Sequence, residues 1–232
     1  MPSLYSYCMP SDDGAAPNPY WGVCSLVICK PGIRATASEG DWIAGTGAKR
    51  AFLDDRKTCD MSGRLIYAMK VTKKMTMAEY DAHTRTKLRE KVPDWGSSSV
   101  RRRVGDSIYD FSRRPDNPKQ RNGVHRAGNV KTDLRGGHAL LSTHFYYFGD
   151  KAIHLPPKLM DIAQNRQGHR RRLNDPYLDA FVAWIDGLGH EAGMLVGKPL
   201  CDLFKTRATC ARCATERAKD DEEDTEAVGG RC

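Results

Sequence analysis

The chain has 232 residues, 40% of them hydrophobic and 28% charged, with 37 basic against 29 acidic side chains and a formal charge of +8. That length supports one substantial core, and the apolar share is too high for wholesale disorder. No apolar run reaches the roughly 18 to 20 residues of a membrane span, and "MPSLYSYCMPSDDG" lacks the basic start and apolar core of a secretion signal, so the expected address is the cytoplasm.

The eight cysteines lack the spacing of a secreted disulfide scaffold, which points to reduced thiols. Residues 214–232 carry seven acids against three bases, leaving 34 bases against 22 acids, or +12, in residues 1–213. A basic body with an acidic tail suggests a polyanionic partner, and an ordinary solvated surface is the plain alternative.

In chain order, "SLYSYCM" alternates as a strand, and "GVCSLVICK" is a short apolar run of the kind a doubly covered strand shows. Lys30-Pro31-Gly32 must break that strand, "GDWIAGTG" is a third, and "GRLIYAMKVTKKMT" alternates at Leu65, Tyr67, Met69 and Val71 as the clearest of all. Thr76 and Glu79 have capping-box spacing, which predicts a helix from about Met77 to Glu90. "PDWGSSSVRRRVG" reads as loop and "DSIYDF" as a short strand. "SRRPDNPKQRNGVHRAGNVKTD" is a polar connection long enough to be functional or disordered. "HALLSTHFYYFG" is another strand and "PPKLMDIAQNRQ" a short helix. Asp175-Pro176 opens a stronger helix with Leu178, Phe181, Val182, Ile185 and Leu188 on one face and Gly187 and Gly189 at its end.

Five motifs stand out in this order: "APNP" (Ala15 to Pro19), "CKPGIR" (Cys29 to Arg34), "GDWIAGTG" (Gly40 to Gly47), "GDSIYD" (Gly105 to Asp110) and "LLSTHFYYFG" (Leu140 to Gly149). On these motifs the chain resembles the nucleotide modification associated domain 2 family of phages and bacteria, over roughly residues 3 to 160. The resemblance implies an α+β protein in systems that make or handle modified bases in DNA, and it carries over no catalytic residues. A Gly-Asp turn opening a strand, a longer strand ending in basic residues and a late aromatic strand are also similar to the PUA, EVE and ASCH barrels. Those barrels bind RNA or a modified base in a pocket, and some ASCH relatives hydrolyse modified nucleosides. The expected fold is therefore α+β: a small mixed β-barrel or curved sheet, PUA-like, with helices packed around it. Residues 1–160 form the domain, 161–213 a helical C-terminal extension packed on it, and 214–232 a disordered acidic tail.

Each candidate site residue has a functional and a structural reading. Asp41 and Trp42 suit a pocket floor, a carboxylate for base-edge amino groups beside a stacking indole, or a turn followed by a core residue. Thr46, Gly47 and Lys49 suit an anion nest or a plain turn, and they are not a Walker loop. Cys29 ends an apolar run beside Lys30 and Arg34. Neighbouring cations would activate the thiol if a histidine lay nearby, and burial would make it inert, while Lys30 and Arg34 suit phosphate contacts. Asn18, held between two prolines, suits base recognition or loop stabilisation.

His125, His138, His144 and His154 lack paired zinc spacing and default to structural roles. Cys210 and Cys213 make half a zinc site, so no metal and no cofactor is expected. The runs Arg101, Arg102, Arg103; Arg113, Arg114; and Arg170, Arg171, Arg172 suit nucleic-acid backbone contacts. The leading expectation is a binder of a nucleotide or modified nucleobase, as free nucleotide or nucleic acid. The pocket would draw on Asn18, Lys30, Arg34, Asp41, Trp42, Thr46 and Lys49. An enzyme with Asp41 or a histidine as base and Lys30 or Lys49 stabilising charge is the alternative, followed by a phage protein that sequesters a nucleotide signal or binds a host protein.

Overall fold

A computed structural model of the chain describes residues 1–54, 56–166, 168–201 and 204. The elements in chain order are β1 (Leu4–Met9), β2 (Cys24–Leu26), α1 (Pro31–Thr36), β3 (Trp42–Gly47), β4 (Ala51–Phe52), β5 (Thr58–Cys59), β6 (Arg64–Lys70), β7 (Lys73–Thr76) and α2 (Met77–Lys87). They continue with α3 (Val100–Arg103), β8 (Tyr109–Asp110), β9 (Lys119–Gln120), α4 (Val130–Arg135), β10 (His138–Ser142), β11 (His144–Tyr147), β12 (Ile153–His154), β13 (His169–Arg170), α5 (Leu178–Asp186) and β14 (Met194–Leu195).

The larger sheet has seven strands in the order β13-β1-β3-β6-β11-β14, with β12 also on β6, and the smaller has the order β2-β10-β7. The larger sheet is mixed: β1 runs parallel to β3, whereas β6 is antiparallel to β3 and β11. Its end strands do not meet, so the sheet is open and the expected barrel does not form. The α+β class stands.

Alternation explains the layers. Tyr5, Tyr7, Ile43, Tyr67, Met69, Phe145 and Tyr147 fill a core that also takes Cys24 and Leu26 from β2 and Leu140 from β10. Their neighbours Leu4, Trp42, Ala44, Ala68 and Tyr146 point the other way, onto Phe181 and Ile185 of α5. The far face of the small sheet buries Ala139, Leu141 and Met75 with Tyr80 of α2 and the segment Val27 to Cys29. Each large apolar side chain sealed this way contributes roughly 1.5–3 kcal/mol.

Two long strands expected from the sequence each serve both sheets. "GRLIYAMKVTKKMT" divides at Val71 and Thr72 into β6 and β7, and "HALLSTHFYYFG" divides at Thr143 into β10 and β11. The breaks interlock, because the Thr143 amide donates to Thr72 Oγ1 and the Thr72 amide donates to the Leu141 carbonyl. Thr72 and Thr143 are exposed at the breaks, but buried Val71 and Met75 flank the first and buried Leu141 and Phe145 the second, so the apolar pattern reads as continuous.

The capping box on α2 forms in full, with Thr76 and Glu79 each satisfying the other's backbone amide. α5 also forms as expected, and Gly187 caps it. Residues 169–195 contain a 3-10 turn and α5, and they also supply the edge strands β13 and β14 to the larger sheet. Cys210, Cys213 and the acidic tail lie outside the described residues.

Candidate catalytic site

The run "GVCSLVICK" is a strand only as far as Leu26. Val27 and Ile28 stay buried, and the backbone then turns into the left-handed region at Cys29 (φ 59°) and Lys30 (φ 44°) before Pro31 opens α1. Two consecutive non-glycine residues there cost of order 1–3 kcal/mol each, so their surroundings must hold them. The Cys29 amide donates to Asp133 Oδ1 at 3.0 Å, and the Cys29 carbonyl accepts from Arg34 Nε at 2.7 Å. Arg34 also donates to the Asp133 carbonyl at 2.6 Å and the His138 carbonyl at 2.9 Å, clamping α1 to α4 and β10. Gly136 lies so close that a Cβ there would sit 2.5 Å from the Arg34 guanidinium carbon.

This elbow presents Cys29 to a histidine. Cys29 Sγ lies 3.2 Å from His125 Nε2, and His125 Nδ1 lies 2.7 Å from Asp133 Oδ2. Asp133 also accepts from the Tyr109 hydroxyl at 2.7 Å, while Gln120 Nε2 holds the His125 carbonyl at 3.0 Å. Tyr109 and Gln120 are directly opposed across the β8–β9 ribbon, so one cross-strand pair braces both partners of the thiol. The His125 and Asp133 side chains are fully buried, and Cys29 is 8% exposed. The carboxylate at Nδ1 fixes the tautomer and leaves Nε2 to exchange a proton with sulfur.

Burial opposes charge on His125, but the Cys29 thiolate and the Asp133 carboxylate outweigh it and raise the imidazole well above its ordinary pKa. Burial likewise opposes the Asp133 carboxylate, and His125 and Arg34 overcome it to hold that carboxyl below the usual range. A raised imidazole 3.2 Å from the sulfur is the kind of neighbour that favours a thiolate over a thiol. Cys24 shows the contrast: burial, only partly offset by Lys91, pushes its thiol up to about 12.

The strand leading to Cys29 is anchored from beneath. The fully buried Lys91 ammonium shares its three protons among four acceptors, the Asn18 and Val23 carbonyls at 2.8 Å, Asn18 Oδ1 at 2.7 Å and Ser25 Oγ at 2.8 Å. Asp106 accepts from Ser25 at 2.5 Å and from Tyr80 at 2.6 Å. Burial lowers the Lys91 pKa to about 8 and raises that of Asp106.

The residues expected to form one pocket lie in different places. Asn18 is buried in the Lys91 network and donates to the Val104 carbonyl at 2.9 Å. Asp41 accepts from the Ser3 and Ser38 amides, and Trp42 packs edge-on against His144 and Phe181 on the α5 side of the larger sheet. Thr46 is buried between the Tyr7 carbonyl and the Gln164 amide, and Lys49 is exposed. Arg34 is fully buried in its clamp. Lys30 directly follows Cys29, with its ammonium 5.1 Å from the centre of the Tyr7 ring. His138, His144 and His154 lie at strand positions apart from the thiol relay.

The arginine runs rest on separate supports. Arg101 lies over Tyr20, Arg102 donates to the Arg89 carbonyl and Arg103 to the Ser97 carbonyl. Arg113 and Arg114 line a cleft of about 570 Å³. Arg170 donates to the Asp161 carbonyl, Arg171 lies over Tyr5, and Arg172 is exposed.

A family model described as nucleotide modification associated domain 2 matches residues 1–207. The chain belongs to that family. This nucleotide modification associated domain carries the whole Cys29–His125–Asp133 relay within the matched span. No curated protein and no solved structure matches it. Among the described residues no helix is long and apolar enough to cross a membrane, and no three His, Cys, Asp or Glu side chains are grouped to hold a metal ion.

Proposed function

We propose that the protein is a thiol-dependent enzyme of nucleotide modification that removes or transfers an acyl substituent carried by a nucleotide or nucleobase. The observation that carries this reading is the contact of Cys29 Sγ with His125 Nε2, with Asp133 behind the ring. A binding protein has no need of a buried carboxylate-imidazole-thiol relay reached through two left-handed residues, so the enzyme reading takes precedence over simple binding.

In the reaction, the Cys29 thiolate attacks the acyl carbon and forms an S–C bond. The tetrahedral adduct collapses as His125 Nε2 gives its proton to the departing nitrogen or oxygen, leaving a thioester on Cys29. Water, or an acceptor amine, then loses a proton to Nε2 as it attacks the thioester carbon. The S–C bond breaks and the thiolate and imidazolium return. Asp133 keeps the ring oriented throughout and stabilises its charge. Family membership and the positive charge of residues 1–213 support a nucleotide as carrier of the acyl group.

The test is to incubate the protein with nucleosides and oligonucleotides bearing N-acylated bases, quench in acid and measure intact mass. Wild type should gain the acyl mass on Cys29, Cys29→Ala should gain nothing, and His125→Ala should form the adduct at least about a hundredfold more slowly. Tight binding of the same compounds with neither adduct nor turnover would return the protein to the class of nucleotide binders.

A further inference from the structure

The β8–β9 ribbon that braces the relay continues past it into the cleft lined by Asp110, Arg113, Arg114, Asn117, Pro118 and Lys119. Along the ribbon, the pair Asp110–Lys119 follows immediately on the pair Tyr109–Gln120 that supports Asp133 and His125. One step along a strand is about 3.3 Å, and successive side chains face opposite ways. The cleft therefore lies one pair beyond the brace.

The charge in the cleft is unbalanced. Asp110 is already engaged: its Oδ1 accepts from the Ser112 amide and hydroxyl, and its Oδ2 lies 3.6 Å from Arg121. Arg113, Arg114 and Lys119 are exposed and have no ion-pair partner among the described residues. Three uncompensated cations around a concavity, with the Asn117 amide beside them, match the phosphates of a nucleotide chain.

We infer that this cleft binds the phosphate backbone of single-stranded nucleic acid and presents an acylated base to Cys29. The inference rests on the thiol reading for its chemical consequence, while the binding stands on the cleft alone. A polymer fits better than a free nucleotide, because a ligand engaging both places must pass around the ribbon from its tip to the thiol. A single strand fits better than a duplex, because a base must leave the stack to reach a thiol that is only 8% exposed.

The experiment measures anisotropy of a labelled single-stranded oligonucleotide across a salt series. It compares wild type, the triple variant Arg113→Ala/Arg114→Ala/Lys119→Ala, and a control triple variant at the exposed Arg50, Lys151 and Lys158. Loss of three phosphate contacts should weaken binding about tenfold or more at low salt and reduce the log-log salt slope by about 2, with the control close to wild type. Bound oligonucleotide should also slow alkylation of Cys29 by iodoacetamide in wild type.

Equal affinity and slope in wild type and the cleft variant overturn the site. Displacement by inorganic phosphate or mononucleotide at equal phosphate concentration overturns the polymer assignment, and binding without protection of Cys29 overturns the presentation. Failure of the thiol reading shows separately, as equal alkylation rates in unliganded wild type and His125→Ala. An unchanged alkylation rate in the unliganded cleft variant shows that it has folded.

Discussion

Cys24 and Cys29 lie on one short run and have opposite chemistry. Cys24 packs in the core between the sheets with its proton held by burial, whereas Cys29 stands at the turn with an imidazole beside its sulfur. Because its pKa is raised well above the ordinary value, His125 holds its proton, and a positive charge stands beside the sulfur. The charge on the imidazole, and any pairing that depends on it, is lost as pH rises through the elevated His125 pKa. Iodoacetamide at pH 6.5 should therefore label Cys29 and spare Cys24, as read by peptide mass spectrometry. In His125→Ala the rate at Cys29 should fall at least about tenfold and drop further with each unit of acidification, as for an ordinary thiol titrating near 8.5. A wild-type rate that follows the same steep profile would remove the ion pair from the account. The sequence exposed half of this site. "CKPGIR" resists explanation by packing, which draws attention to Cys29, but its histidine lies 96 residues away in a polar connection that no local spacing marks.

That connection, between Ser112 and Asp133, contains β9, a 3-10 turn and most of α4, and it carries both His125 and Asp133. Strand and helix pieces this short leave no periodicity to read, so the sequence showed only a loop too long to be idle. α1 is hidden for a related reason, since Lys30-Pro31-Gly32 reads as a strand breaker and here also starts a helix. The clearest elements were legible from different signals: β1 and β3 from short runs of large residues that both cores bury, α2 from its capping box and α5 from its single apolar face. The join between α1 and α4 decides whether the elbow holds. Gly136→Ala would drive a methyl group into the Arg34 guanidinium, which three carbonyls hold in place. The substitution should cost roughly 1–3 kcal/mol in urea unfolding and slow Cys29 alkylation, because displacing Arg34 releases the Cys29 carbonyl. Gly128→Ala is the control, since a Cβ there meets nothing within 4 Å. Equal stability and alkylation in the two variants would show that the clamp has no part in holding the thiol.

At the scale of the molecule, the two sheets divide the labour. The larger sheet and α5 form a layer that takes Trp42 as core, while the small sheet, α1, α4 and the β8–β9 ribbon assemble the thiol site on the other side of the shared core. Pattern in the sequence identified Trp42 as large, flat and placed at a turn, but one strand face from the other differs only by register, and register is set by the partner strands. Charge is the one whole-molecule property legible without coordinates. Residues 1–213 carry +12 and the full chain +8, so the tail sets a field opposing that of the body. Deleting residues 214–232 should therefore tighten binding of a single-stranded oligonucleotide several-fold at low ionic strength. The gain should shrink towards zero near 0.5 M salt, where screening cuts off interactions beyond about 4–5 Å. Measured beside the cleft variant, the deletion separates two origins of affinity. If the tail competes with nucleic acid for Arg113, Arg114 and Lys119, deleting it from the cleft variant should gain nothing. If it acts only through net charge, wild type and cleft variant should gain equally.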